Sequence, residues 1–162
     1  MPDLHAAAQR PIDRWFASYS LDHQNPVNQA LHVACVPLIL WSIIALLWCI
    51  PVPGTLFGPG AFGALAMFLT WSYYYRMSRP IGFGMLAIFV GFAWGTRWLH
   101  MQLGTAGLAG LALSVFVIAW VGQFIGHHIE GRRPSFFTDL TYLLIGPIWV
   151  LAKGYRAIGW KY

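Results

Sequence analysis

The stretch "DHQNPVNQALHVACVPLILWSIIALLWCI", residues 22 to 50, decides how this chain folds. After Asp22 it holds no Asp, Glu, Lys or Arg, and that run continues to Arg76. Its apolar part, about 26–50, exceeds the roughly 20 residues that carry a helix across the hydrocarbon core of a bilayer. The beginning of that helix is marked. Asn25-Pro26 is a start signal, with Asn as the cap and Pro at the first helical position, where a missing N–H costs nothing. Two histidines and two asparagines therefore stand at the mouth of a membrane span. Asn28 and His32, four residues apart, share one face of its first turns. An ionisable residue that far into an uncharged span points to a functional site.

A second charge-free run lies between Arg97 and Glu130. Of the 162 residues, 58% are hydrophobic and 9% charged, against about 25% charged in a soluble domain. There is too little charge to coat a globule. The chain reads as an all-α integral membrane protein, one membrane domain over 1–162. Spans at about 26–50, 61–75, 81–98 and 106–128 form a four-transmembrane-helix bundle. "IPVPGTLFGPG" is a turn, since its Pro-Gly clusters cannot continue a helix. In segment 11–21, Ile12, Trp15, Phe16 and Tyr19 oppose Asp13 and Arg14, which predicts an N-terminal interfacial helix. The last apolar stretch, about 136–152, is short, contains Asp139 and is interrupted by Gly146-Pro147. It predicts a C-terminal re-entrant or interfacial helix pair rather than a fifth span.

Basic residues set the orientation. With four spans, Arg10, Arg14, Arg76, Arg79, Arg132, Arg133, Lys153, Arg156 and Lys161 share one side, and only Arg97 lies opposite. The positive-inside rule makes the first side cytoplasmic, with both termini on it. A fifth span would move Lys153, Arg156 and Lys161 outside. The first 30 residues carry Asp3, Asp13 and Asp22 and no apolar core before a cleavage site, so they are not a signal peptide. Cys35 and Cys49 lie about 21 Å apart along one helix and cannot bridge. The net charge of +5 comes without a basic run interleaved with aromatics, which suits a membrane protein with basic cytoplasmic ends better than a nucleic-acid binder.

The same topology puts His23, His32, His127 and His128 at one membrane level, on the cytoplasmic side. His100 belongs to the far side and His5 to the N-terminal tail. At the end of span four, "WVGQFIGHHIEGRRPS" places Gln123, His127 and Glu130 at i, i+4 and i+7, a polar stripe on an apolar helix. His128 points about 100° away, which makes it the weaker ligand. Glu130 either ligates or orients an imidazole. A blander reading pairs Glu130 with Arg132 or Arg133, and Gln123 with a neighbouring helix. Imidazoles with one carboxylate suit Fe, Zn, Cu or Ni by ligand type.

"DHQNPVNQALHVACVPLI" together with "QFIGHHIEGRRPSFFTDL" resembles the small membrane family typified by a fungal endoplasmic-reticulum 2-hydroxy fatty acid dioxygenase. The resemblance spans about residues 19–144. It is carried by His23, Asn25, Pro26, Asn28 and His32, and by Gln123, Gly126, His127, Glu130, Arg132 and Pro134. His128 falls where that family has no fixed histidine, and "VACVP" departs from its Gly-Ile-Pro. The resemblance implies an Fe(II)-dependent dioxygenase with O2 as co-substrate, which cleaves the C1–C2 bond of 2-hydroxy fatty acids to give the acid one carbon shorter. It implies His23, His32 and His127 as metal ligands, with Glu130 as the catalytic carboxylate; the shared membrane level adds His128 to the candidate ligands as the weaker one. Asn28, Arg132 and Arg133 would bind substrate, and the acyl tail would lie between helices. Zinc is not separated from iron by these ligand types. The partners implied are the substrate and the lipid bilayer, in a bacterial inner membrane or, in a eukaryote, the endoplasmic reticulum. Two other readings compete. One is a non-catalytic lipid-binding or small-transporter protein with proton-sensing histidines, although no internal repeat of the transporter kind is visible. The other is a di-iron hydroxylase, which needs more ligands than four histidines supply.

Overall fold

The computed structural model describes residues 10–53, 57–133 and 141–162. His5, Pro134, Asp139 and the first part of the predicted 136–152 segment lie outside these residues. Within them the chain forms five helices and no strand: α1 (Pro11–Leu21), α2 (Pro26–Trp48), α3 (Ala61–Met77), α4 (Arg79–Glu130) and α5 (Tyr142–Ala157). Two of them, α2 and α4, are long and apolar enough to cross a membrane. The predicted start of α2 is present, with the Asn25 side chain accepting from the Val27 N–H at 2.9 Å.

The 52 residues of α4 are two helical arms, 79–103 and 105–130, each roughly 38 Å long at 1.5 Å per residue. Sequence patterning predicts a loop at about 99–105; the structure reverses the chain at one residue, Gly104 (φ 67°, ψ −179°). That region of backbone space is open essentially to glycine alone, so a single residue does the work of the expected loop. The reversal is visible in the packing. Leu99 and Leu108, on opposite arms, meet in one cluster with Ala45 and Trp48 at the C-terminal end of α2. Further back, Ala119 packs on Cys35 and Ile39. The second arm thus runs antiparallel to α2 and ends beside its N-terminus.

At that same end α1 and α5 lie across the bundle. The apolar stripe of α1, Ile12, Phe16 and Tyr19, is turned onto Ile145, Ile148, Trp149 and Ala152 of α5. Trp149 donates to Ser20 Oγ at 3.0 Å and Tyr74 of α3 donates to the Leu144 carbonyl at 2.8 Å. In place of the predicted helix pair, the described part of the C-terminal segment is one 16-residue helix that runs through Gly146-Pro147. Its packing against α1, α2 and the first arm of α4 compensates for the backbone bond that Pro147 removes. Outward, the bundle is apolar: Phe68, Leu69, Phe83, Val90, Trp94 and Ile118 are all more than half exposed. A contiguous apolar surface of that kind marks a membrane or protein contact.

Candidate metal centre

Three histidines meet where α1, α2 and α4 converge. His23 sits in the short link between α1 and α2, His32 one to two turns into α2, and His127 in the last turn of α4. They are 1%, 1% and 5% exposed, respectively. One nitrogen from each lies within 4.8 Å of the other two, and the rings meet edge-on with centroids 4.2–5.1 Å apart.

The hydrogen bonds fix which nitrogens face inward. His23 Nδ1 lies 2.6 Å from the Tyr19 carbonyl and His32 Nδ1 lies 2.9 Å from the Asn28 carbonyl. A carbonyl only accepts, so both Nδ1 atoms carry the hydrogen and donate. In the neutral rings both Nε2 atoms then present lone pairs, and these face each other at 3.0 Å. Two lone pairs at that distance repel unless they share a cation. A proton is disfavoured: burial holds the His23 imidazole below its usual pKa, although the Tyr19 carbonyl, Asp22 and Glu130 oppose the shift and Lys153 adds to it. A metal ion suits the pair, because two nitrogens each about 2.1 Å from one ion at a right angle are themselves about 3.0 Å apart. His127 fits the same group: its Nδ1 is buried with no hydrogen-bond partner among the described residues.

Neighbouring groups hold the three in place. Tyr19 stacks on His23 (centroids 4.1 Å, planes 11° apart), and Trp149 of α5 packs near it at 5.8 Å. The Glu130 carboxylate accepts from the Gln24 N–H at 2.9 Å, the Asn25 N–H at 2.9 Å and the Asn28 amide at 2.9 Å. Arg132 donates to the Leu21 carbonyl and to Asp22 at 3.1 and 3.0 Å. Both residues thus clip the link carrying His23 onto the end of α4 that carries His127. Gln29 donates to the His23 carbonyl at 2.8 Å and accepts from Lys153 of α5.

Of the residues singled out in the sequence, His23, His32 and His127 come together, and Asn28 and Glu130 bond to each other beside them. His128 is exposed on the outer face of α4, outside the cluster, as are the side chains of Arg132 and Arg133. His100 sits at the opposite end, 3.0 Å from Thr105 Oγ1 at the Gly104 bend. Sequence reasoning missed the stacking role of Tyr19 and the contributions of Gln29, Trp149 and Lys153. For Tyr19 a signal existed: it lies four residues before His23 on the buried face of α1.

Below the histidines a cavity of about 270 Å³ runs along α2. The three rings form its head, Val36, Ile39 and Ile43 its length, and Leu47 with Ala66 of α3 its far end. From His32 to Leu47 is about 22 Å of helix, more than the roughly 15 Å of hydrocarbon in one leaflet of a bilayer. The space suits an amphiphile with a metal-binding head and one acyl chain.

Residues 9–158 match the family described as 2-hydroxy-palmitic acid dioxygenase Mpo1-like. The chain is also 26% identical over 137 residues, 82% of its own length and 73% of the relative's, to 2-hydroxy-palmitic acid dioxygenase MPO1 of Saccharomyces cerevisiae. No solved structure matches it. A family match over nearly the whole chain, both histidine motifs included, establishes that this protein belongs to the Mpo1-like family.

Proposed function

We propose that this protein is an Fe(II)-dependent dioxygenase of the membrane that shortens 2-hydroxy fatty acids by one carbon. One observation carries the proposal: three buried imidazoles, two with lone pairs opposed at 3.0 Å, cap an acyl-shaped apolar cavity. Similarity to a yeast enzyme named for 2-hydroxy-palmitic acid supports the substrate class. The reaction balances with one O2, which takes a 2-hydroxy acid to the acid one carbon shorter, carbon dioxide and water.

His23, His32 and His127 would hold the iron. Bound Fe(II) supplies O2 activation and the Lewis acidity that draws in the acid's oxygens. The chain's own groups do the rest. The Nδ1–H bonds to Tyr19 and Asn28 keep both inward nitrogens unprotonated. Burial of the rings, with Tyr19 and Trp149 beside His23, excludes water from the head of the cavity. His128 drops out of the ligand set because it faces away. Glu130, with its oxygens taken up by Asn28 and the backbone of Gln24 and Asn25, serves as a positioning residue. Arg132 and Arg133, exposed just beyond the end of α4 that carries His127, supply the positive charge that draws the carboxylate from the interface.

In the bilayer, α2, α3 and the two arms of α4 are the four spans. Every Lys and Arg but Arg97 then falls at the histidine end, and the positive-inside rule supports a metal centre on the cytoplasmic side. At 17 residues, α3 is about 25 Å long and spans with little tilt.

The direct test is mass spectrometry of purified protein supplied with Fe(II), O2 and 2-hydroxypalmitic acid. Pentadecanoic acid is the expected product; its absence from a folded, iron-loaded preparation sinks the proposal. Two variants refine it. Glu130→Gln weakens the clip on the His23 link, and iron affinity should fall by about 10–100-fold, the usual cost of losing an outer-shell partner; a metal titration measures this. Ala66→Phe fills the far end of the cavity. If four methylenes are displaced at about 0.8 kcal/mol each, affinity for a C16 acid falls by about 200-fold, and shorter 2-hydroxy acids become preferred in a competition assay. An unchanged chain-length profile would place the tail elsewhere.

A further inference from the structure

Gln123 lines the same cavity as the three histidines. It lies four residues before His127, hence on the same face of α4 and about 6 Å along the helix from it, on the side of the apolar end. The residue is 5% exposed. The Cys35 thiol lies near enough to feel the Gln123 side-chain amide but is a weak acceptor, and among the described residues no hydrogen bond is made by the buried Gln123 Nε2. A buried amide donor left unpaired loses its hydration with nothing in return, and such groups in folded proteins call for an explanation. A bound ligand that brings an acceptor to this spot would supply one.

The position says which acceptor. On the fatty-acid reading, on which this inference rests, the carboxylate lies at the histidines and the tail beyond Gln123. An N–H between the two faces the carbon next to the carboxyl group. We infer that the Gln123 side-chain amide donates a hydrogen bond to the 2-hydroxyl oxygen of the bound fatty acid and is the group that selects 2-hydroxy acids over unsubstituted ones. An unsubstituted acid puts a methylene there and leaves the donor unpaired. A neutral amide suits a neutral hydroxyl, whereas the carboxylate is met by the cationic centre one turn away.

The test is an anaerobic binding measurement on the full-length protein in detergent, where oxygen is absent and no turnover occurs. Quenching of tryptophan fluorescence reports occupancy, since Trp120 lines the cavity. The two probes are 2-hydroxypalmitate and palmitate, identical but for the hydroxyl. Wild type is expected to bind the 2-hydroxy acid about 10- to 100-fold more tightly. In Gln123→Met, which keeps the unbranched shape, that preference should vanish: 2-hydroxypalmitate weakens to the level of palmitate, while palmitate binds as well as before or better. Retained palmitate binding also shows that the variant is folded, and Gln123→Leu provides a second variant with the same expectation. A preserved preference in either folded variant overturns the assignment. So does an equal loss of both acids in both variants, which is the mark of a structural role. Equal binding of the two acids by wild type overturns the assignment alone. If wild type binds neither acid, the fatty-acid reading itself fails and takes this one with it.

Discussion

Replacing His127 by alanine is expected to abolish metal retention and, with it, product formation. The centre has three convergent nitrogens, and removal of one leaves His23 and His32, whose lone pairs oppose each other at 3.0 Å. Loss of a direct ligand should cost more than the roughly 10–100-fold that loss of an outer-shell partner costs. Elemental analysis of detergent-purified protein, beside consumption of 2-hydroxypalmitic acid under O2, measures both effects. His128→Ala is the matched control. Its side chain is exposed, so it should keep metal and activity. Near-stoichiometric iron in wild type, lost in His127→Ala and kept in His128→Ala, is the expected pattern. Stoichiometric zinc would keep the centre but remove the oxygenase chemistry. No metal after anaerobic Fe(II) reconstitution would put the lipid-binding reading first.

Gly126→Val should be as damaging although it touches no ligand. The last turns of α4 press against the first turns of α2, and Gly126 is the point of closest approach. A Cβ there would lie 2.4 Å from Asn28 Oδ1 and 3.4 Å from Leu31 Cδ1. Asn28 is fully buried and held by its bond to Glu130, so it cannot swing aside. One turn back, a Cβ on Gly122 would lie 2.7 Å from Cys35 Sγ. The pair forms a G-x-x-x-G face, the small-residue stripe that lets membrane helices approach closely. A branched side chain at Gly126 forces the helices apart, at an expected cost of about 1–3 kcal/mol or more. Because His127 is the next residue, the same displacement takes its ring away from His32. Thermal melting in detergent and metal content should therefore fall together. A variant with wild-type melting and wild-type metal would show that the crossing tolerates the strain.

Some features of the centre could be read from the sequence because they depend on local spacing. The Asn25-Pro26 start requires only the chemistry of a helix N-terminus. That His128 is the weaker ligand follows from 100° of rotation per residue; that it stands outside the cluster is read from the structure. Glu130 shows where such reading stops. Its spacing from His127 places it on the right face, but whether it ligates, pairs with arginine or holds the link depends on what approaches from α2. The acceptors it offers are used by Gln24, Asn25 and Asn28, more than 100 positions earlier in the chain. Gln29 and Lys153 are likewise joined only by folding.

The sequence by itself determined the helical class, the two long apolar segments and four candidate histidines, of which the structure gathers three, because hydrophobic length, charge gaps and caps act within one segment. It also led to the expectation that His23, His32 and His127 lie at one end, and the structure brings these three together. Only the tertiary structure decided that the chain turns back at Gly104 alone, that α1 and α5 close over the histidines, and that a cavity leads from them. Each of these depends on side chains distant in sequence filling, or failing to fill, a shared space, and no periodicity along one helix records the shape of its neighbour.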